Sequence, residues 1–188
     1  MIDKLLIKKV DEYNKILLGG NLKYEIAELY QLIENTIKID GKIILCGNGG
    51  SAADSLHIAS EFIGHLNKDR KALPAVALCS DIAVLTGLGN DFLYENIFSR
   101  QIEALGNNND LLIVLSTSGN SENIYNAVKA AQIKSIKTCA ITNKYGGNVS
   151  KIADITIKLA STNTQTVQEI TMVLFHIICE ILELKYDE

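Results

Sequence analysis

The chain has 188 residues, 47% of them apolar and 21% charged, with a formal net charge of −4 and a pI near 5.4. That length suits one compact domain with a sizeable core, and with no apolar run of about 18 residues a transmembrane helix is not expected. No basic stripe points to nucleic acid, whereas a small phosphorylated ligand needs only a local cradle and stays open.

The opening MIDKLLIKKVDEYNK mixes acids and lysines among apolar residues, the pattern of an amphipathic helix rather than a signal peptide. Ile2, Leu5, Leu6, Val10, Tyr13, Ile16 and Leu17 recur at helical spacing, and Gly19-Gly20 ends the run. A second helix is expected from Asn21 to Ile39, with Ile26, Leu29, Tyr30, Ile33 and Ile37 as its stripe. The pattern then changes to short apolar runs: KIILC at 42–46, AVALC at 75–79, LLIVLS at 111–116, TCAIT at 138–142 and DITIKL at 154–159. Helical stretches separate most of them. Strands apolar on both faces, alternating with helices, indicate a parallel sheet with right-handed crossovers. The expected fold class is α/β, a three-layer αβα sandwich on a five-stranded parallel sheet of flavodoxin-like type, with an N-terminal helical pair. Residues 1–188 are expected to form one domain. A long last helix, about Thr166 to Leu184, brings Val167, Ile170, Leu174, Ile177, Ile178 and Ile181 to its packing side. Cys46, Cys79, Cys139 and Cys179 show no CxxC spacing and read as reduced core thiols of a cytosolic protein.

In such a sheet, ligands sit beyond the carboxyl ends of the strands. Two of the loops there carry unusual chemistry. The first is Gly47-Asn48-Gly49-Gly50-Ser51, where glycines let backbone N–H groups approach a ligand and Ser51 is expected to cap the next helix. A helix start of this kind suits an anion or a sugar hydroxyl. Gly47, Gly49 and Ala52 satisfy a loose G-x-G-x-x-A, but the acidic residue of a dinucleotide site is missing from the end of the second strand. A tight turn without a ligand is the plainer alternative. The second loop is Ser116-Thr117-Ser118-Gly119-Asn120-Ser121, with a helix from Glu122. Its hydroxyls and glycine at a helix start form a phosphate nest, and with no lysine it is not a Walker loop. A monophosphate on a sugar suits it better than a triphosphate with magnesium. Neither a G-x-S-x-G elbow nor a Ser/His/Asp triad is present.

His57 and Glu61 stand four apart on the helix after the first loop, so they share a face. That spacing can chelate a divalent metal or pair an acid with a base, although it is more often a solvated pair. On the last helix, Gln168 and His176 are eight residues apart, about 12 Å of rise. They share a small ligand only if it lies between them, and a neutral core histidine is the simpler reading of His176.

CGNGGSAADSLHIASEF, GNDF at 89–92, FSRQ at 98–101, STSGNS, and VQEI followed by His176 together resemble the phosphoheptose isomerases, which are sugar-isomerase (SIS) domain proteins. The resemblance covers nearly the whole chain in order. It implies conversion of sedoheptulose 7-phosphate to glycero-manno-heptose 7-phosphate through an enediolate, for lipopolysaccharide, a capsule or another glycan. By the same resemblance Ser116, Thr117, Ser118 and Ser121 would hold the phosphate. Asn48, Gly49, Gly50 and Ser51, with Asn90, Asp91 and Gln168, would contact the sugar. His57, Glu61, Gln168 and His176 would bind one zinc ion per subunit, and Glu61 and His176 would be the catalytic pair. A cytoplasmic homotetramer is implied, with sites at subunit interfaces and residues 1–40 used in packing. The chain departs from the family at His65 and Thr166, where arginines are usual, and each replacement removes a cation. Two rivals remain: a non-catalytic SIS protein binding a replication initiator, and an SIS enzyme acting on another sugar phosphate.

Overall fold

A computed structural model describes residues 1–186. Twelve main elements follow in chain order: α1 (Ile2–Leu17), α2 (Leu22–Lys38), β1 (Ile43–Gly47), α3 (Gly50–Ile63), β2 (Ala75–Ala77), α4 (Ile82–Phe92), α5 (Ser99–Leu105), β3 (Leu111–Leu115), α6 (Glu122–Ile133), β4 (Lys137–Asn143), β5 (Ile155–Leu159) and α7 (Thr164–Lys185). The five strands form one parallel sheet in the order β2-β1-β3-β4-β5. β1 and β3 are buried at every position, which is why they read as unbroken apolar runs.

Period-two alternation sends Ile43, Leu45, Leu111 and Ile113 into one core and Ile44, Cys46, Leu112 and Val114 into the other. The first core is roofed by α2, α3 and α7, with the end of α1 joining at Ile16. The second is roofed by α5 and α6. Each fully buried Ile or Leu stabilises the fold by roughly 1.5–3 kcal/mol. The four cysteines are free, and Cys46, Cys139 and Cys179 are buried.

Several boundaries differ from the expectation. β2 stops at Ala77, because Ser80 N–H turns back onto the Ala77 carbonyl, while Leu78 N–H still reaches Leu45. α7 begins at Thr164, two residues early, because Asn163 caps it by accepting the Gln165 N–H at 2.9 Å. On α7, Ile177 and Ile181 stay over a third exposed, and Phe175, Cys179 and Leu182 fill the core instead. α1 buries Ile16 alone, leaving Ile2, Leu5, Leu6 and Val10 in solvent. No described helix is long and apolar enough to cross a membrane.

Candidate functional site

The strand order reverses direction between β1 and β3, so the loops after these two strands face each other across the crevice where such sheets take ligands. These are the two polar loops. In the first, Gly49 rather than Ser51 is the N-cap of α3. The chain enters the helix two residues earlier than expected, and Ser51 becomes a buried residue inside it. Its Oγ accepts from Gln168 Nε2 at 3.3 Å. Gly50 is what allows this, since a Cβ there would lie 2.4 Å from Gln168 Nε2.

In the second loop, Ser116 is buried and its Oγ has no protein partner. Ser121 is the N-cap of α6, yet its side chain makes no capping bond. Thr117 is half-buried and Ser118 exposed, with Ser118 Oγ accepting from the Asn120 N–H at 3.2 Å. Gly119 holds φ at 66°, and its backbone lies so close to the 146–147 turn that a Cβ would fall 2.0 Å from the Gly146 carbonyl oxygen. Unspent hydroxyls and a helix start together make an anion cradle.

An amide pair joins the two loops. Asn48 Nδ2 donates to Asn123 Oδ1 at 2.8 Å, and Asn123 Nδ2 donates back to Asn48 Oδ1 at 2.9 Å. The Tyr94 hydroxyl also donates to Asn48 Oδ1, at 2.9 Å. Asn90 and Asp91 lie exposed near the end of α4 and bond to each other at 2.7 Å. Among the described residues no hydrogen bond ties them to either loop.

The acid–base candidates lie elsewhere, on a seam between α3 and α7. His57 Nε2 is 3.1 Å from Glu61 Oε1, and the rings of His57 and His176 are 5.4 Å apart. Glu61 Oε2 and His176 Nε2 are both buried without a partner. Asp54, one turn before His57, joins the same face. Burial pushes its carboxyl above the ordinary range against the pull of His57, and its Oδ2 is also partnerless. Gln168 stands level with Ser51, and His176 level with His57. The two helices therefore run side by side in one direction, and Gln168 lies about 12 Å from the His176 level. The Gln168 amide is bonded to Ser51 rather than to the His57–Glu61–His176 cluster. Among the described residues, no group of three or more His, Cys, Asp or Glu side chains is arranged to hold a metal ion.

Glu61 is eleven residues into α3 from Gly50, about 16 Å along the helix from the first loop. Because α3 runs back across the sheet, Glu61 sits near the start of β2, away from the phosphate nest. Neither of the two cavities beside them spans both. A cavity of about 620 Å³ is lined by Asp54, Gln165, Gln168, Glu169 and Met172, and another of about 450 Å³ lies beside Asn120 and Glu122.

The seam is braced at its far end. Arg70, buried, donates to the Glu61 carbonyl at 2.6 Å and the Phe62 carbonyl at 3.0 Å. From α7, Glu183 accepts the N–H groups of Leu66 and Asn67. Burial alone would raise the Glu183 carboxyl, but those N–H donors, that of Lys68 and the Arg70 charge together hold it below the ordinary range. Near the start of α7, Lys9 from α1 reaches Glu169 at 2.7 Å and Thr166 Oγ1 at 3.3 Å, so a cation stands beside buried Thr166. Sequence reading missed Asn123, Tyr94, Asp54, Arg70 and Glu183. Of these only Asp54 carried a signal, its i, i+3, i+7 spacing with His57 and Glu61.

Residues 14–143 match the SIS domain family. A phosphoheptose isomerase of Clostridium acetobutylicum is 43% identical over 182 residues, 97% of this chain and 93% of the relative. One from Sulfurimonas denitrificans is 45% identical over 178 residues, 94% and 91% of the two chains. Among solved structures, a phosphoheptose isomerase from Francisella tularensis superposes with a TM-score of 0.91 at 32% identity, covering 97% of this chain and 96% of the other.

Proposed function

This chain belongs to the phosphoheptose isomerases of the SIS-domain family, and we propose that Glu61 and His176 are the acid–base pair of its reaction. The reaction is the isomerisation of sedoheptulose 7-phosphate to D-glycero-D-manno-heptose 7-phosphate, in heptose biosynthesis. A proton leaves C1 of the ketose, an enediolate forms, and a proton returns at C2 while the oxygen protons exchange. Glu61 takes and returns the carbon-bound proton. His176 moves protons at the oxygens. The observation that carries this reading is the pair of buried, partnerless atoms, Glu61 Oε2 and His176 Nε2, on either side of His57. Buried polar atoms without partners cost free energy, and a site that must receive substrate is where such a cost is kept.

The phosphate is assigned to Ser116, Thr117, Ser118 and Ser121, and the sugar to Asn48, Gly49, Gly50 and Ser51. Asn90 and Asp91 join the sugar side only if α4 moves toward the loops or a partner chain brings them. The nest and the acid–base pair are separated by most of the length of α3, which exceeds what one seven-carbon chain spans. The reading therefore shares the site between subunits, the nest from one chain and the His57–Glu61–His176 cluster from another. The unpaired apolar face of α1 supports a homo-oligomer, which we take to be a tetramer packed through residues 1–40.

Zinc is proposed at His57, Glu61 and His176, which do not form a ready three-ligand cluster within one chain and would have to close around the ion. The rings of His57 and His176 lie 5.4 Å apart, close enough for both to turn toward one ion. Gln168, bonded to Ser51 in this structure, is the proposed fourth ligand. When bound, zinc would polarise the sugar carbonyl and favour the negative charge that develops on its oxygen. A cytoplasmic location and a product destined for lipopolysaccharide or capsule complete the proposal. The test is turnover of sedoheptulose 7-phosphate followed by NMR, beside a panel of pentose and hexose phosphates. The heptose aldose is expected as the dominant product, and preferred turnover of a five-carbon ketose phosphate would overturn the assignment.

A further inference from the structure

We infer that Asn123 and Tyr94 are positioning residues that hold the Asn48 amide in place, so that it presents an N–H to the sugar. The inference rests on the reading of the first loop as the sugar-binding side. A side-chain amide has two acceptor positions on its oxygen and two N–H donors. Both acceptor positions of Asn48 are used, one by Tyr94 and one by Asn123, each at 2.9 Å. One of its N–H groups is spent on Asn123 Oδ1 at 2.8 Å. A single N–H remains for a ligand, and it selects an oxygen that accepts, such as a carbonyl or a hydroxyl lone pair.

The placement of the two supports is what keeps the amide in place. Asn123 is the second residue of α6 and only 2% exposed, so its amide cannot turn to solvent. It lies two residues from Ser121, the cap of the phosphate nest. The reciprocal bonds therefore make the sugar loop and the phosphate loop one rigid unit across the switch point. Tyr94 comes from a third segment, the short 3-10 turn Tyr94–Asn96 after α4, and is 62% exposed. Its hydroxyl saturates the Asn48 oxygen from the solvent side. Without it, that oxygen would be free to accept from a sugar hydroxyl, and the loop would read two kinds of group instead of one.

The experiment combines Tyr94→Phe and Asn123→Ala with Asn48→Ala. One lost hydrogen bond of about 0.5–1.5 kcal/mol corresponds to roughly 2–10-fold. Tyr94→Phe is expected to raise KM for sedoheptulose 7-phosphate by about that factor, with kcat and the thermal midpoint unchanged. Asn123→Ala is expected to raise KM further and to lower the midpoint, since it also empties a buried polar contact. In the Asn48→Ala background, Tyr94→Phe is expected to cost nothing more, because both act through one amide. An equal cost with and without Asn48 overturns the inference. A second readout needs no substrate: the Asn48 side-chain amide NMR signals should shift in Tyr94→Phe and collapse toward free-amide positions in Asn123→Ala. Unshifted signals overturn it even if turnover changes. If the wild-type protein does not turn over this substrate, the proposed function fails, while the amide signals still decide whether Asn48 is held.

Discussion

Gly119→Ala tests the phosphate nest at its tightest point. Gly119 sits at φ 66°, where an L-residue costs about 1–2 kcal/mol. An added Cβ would also fall 2.0 Å from the Gly146 carbonyl oxygen and 2.6 Å from its carbon, both backbone atoms that cannot rotate away. Overpacking of that kind adds about 1–3 kcal/mol. The sum, about 2–5 kcal/mol, corresponds to a fall in thermal midpoint of roughly 4–20 °C at 2–4 °C per kcal/mol for a chain of this size. Gly20→Ala is the matched control. Gly20 has φ 62°, but nothing lies within 4 Å of its Cβ position, so only the conformational part applies. Thermal and urea unfolding of both variants, with KM for the sugar phosphate, gives the comparison. Gly119→Ala should be the less stable by at least about 1 kcal/mol, and KM should rise for it alone. Equal losses in the two variants would refute the claim that the two turns are locked by close approach.

Glu61→Gln should lower kcat by about 10²–10⁴-fold with little change in KM, and a smaller loss would remove Glu61 as the base. Subunit sharing predicts complementation: mixing inactive Glu61→Gln chains with inactive Ser116→Ala/Ser121→Ala chains should restore part of the activity after refolding together, and no recovery would argue for sites within one chain. The Glu183 carboxyl, held below the ordinary range by its N–H donors and Arg70, contributes stability that is present above the unfolded value of about 4.3 and is lost as pH falls through its lower folded value. Glu183→Gln should therefore lower the midpoint at pH 7 and flatten its acid limb below about pH 4; an acid limb parallel to wild type would show that the brace carries no charge-dependent stability. Treatment with a chelator should abolish turnover and lower the thermal midpoint, with zinc restoring both. Full activity in the chelated protein would count against the metal.

The sheet was legible because β1 and β3 are apolar on both faces, a pattern that few other structures require. The two loops were legible because glycines and hydroxyls follow those strands directly. Ser51 was misread as a cap because serine is a common cap, while the turn actually needs Gly49 at φ 55°. Asn123 left no trace, since an amide in the first turn of a helix looks like ordinary polar surface; its role depends on Asn48, 75 positions away. The relation of Gln168 to His176 was limited by helix rise, since eight residues of one helix separate them. α4 shows another limit: its run IAVLTGLGNDF is apolar, yet it buries no residue within the chain.

The most direct test of the account is isomerisation of sedoheptulose 7-phosphate in deuterium oxide, followed by proton NMR. Proton transfer by a carboxylate through an enediolate predicts solvent deuterium at C2 of the aldose with the wild-type protein, and product and exchange both slowed by about 10²–10⁴-fold with Glu61→Gln. An aldose protiated at C2 at every stage of conversion, formed equally fast by the Glu61→Gln protein, would contradict it.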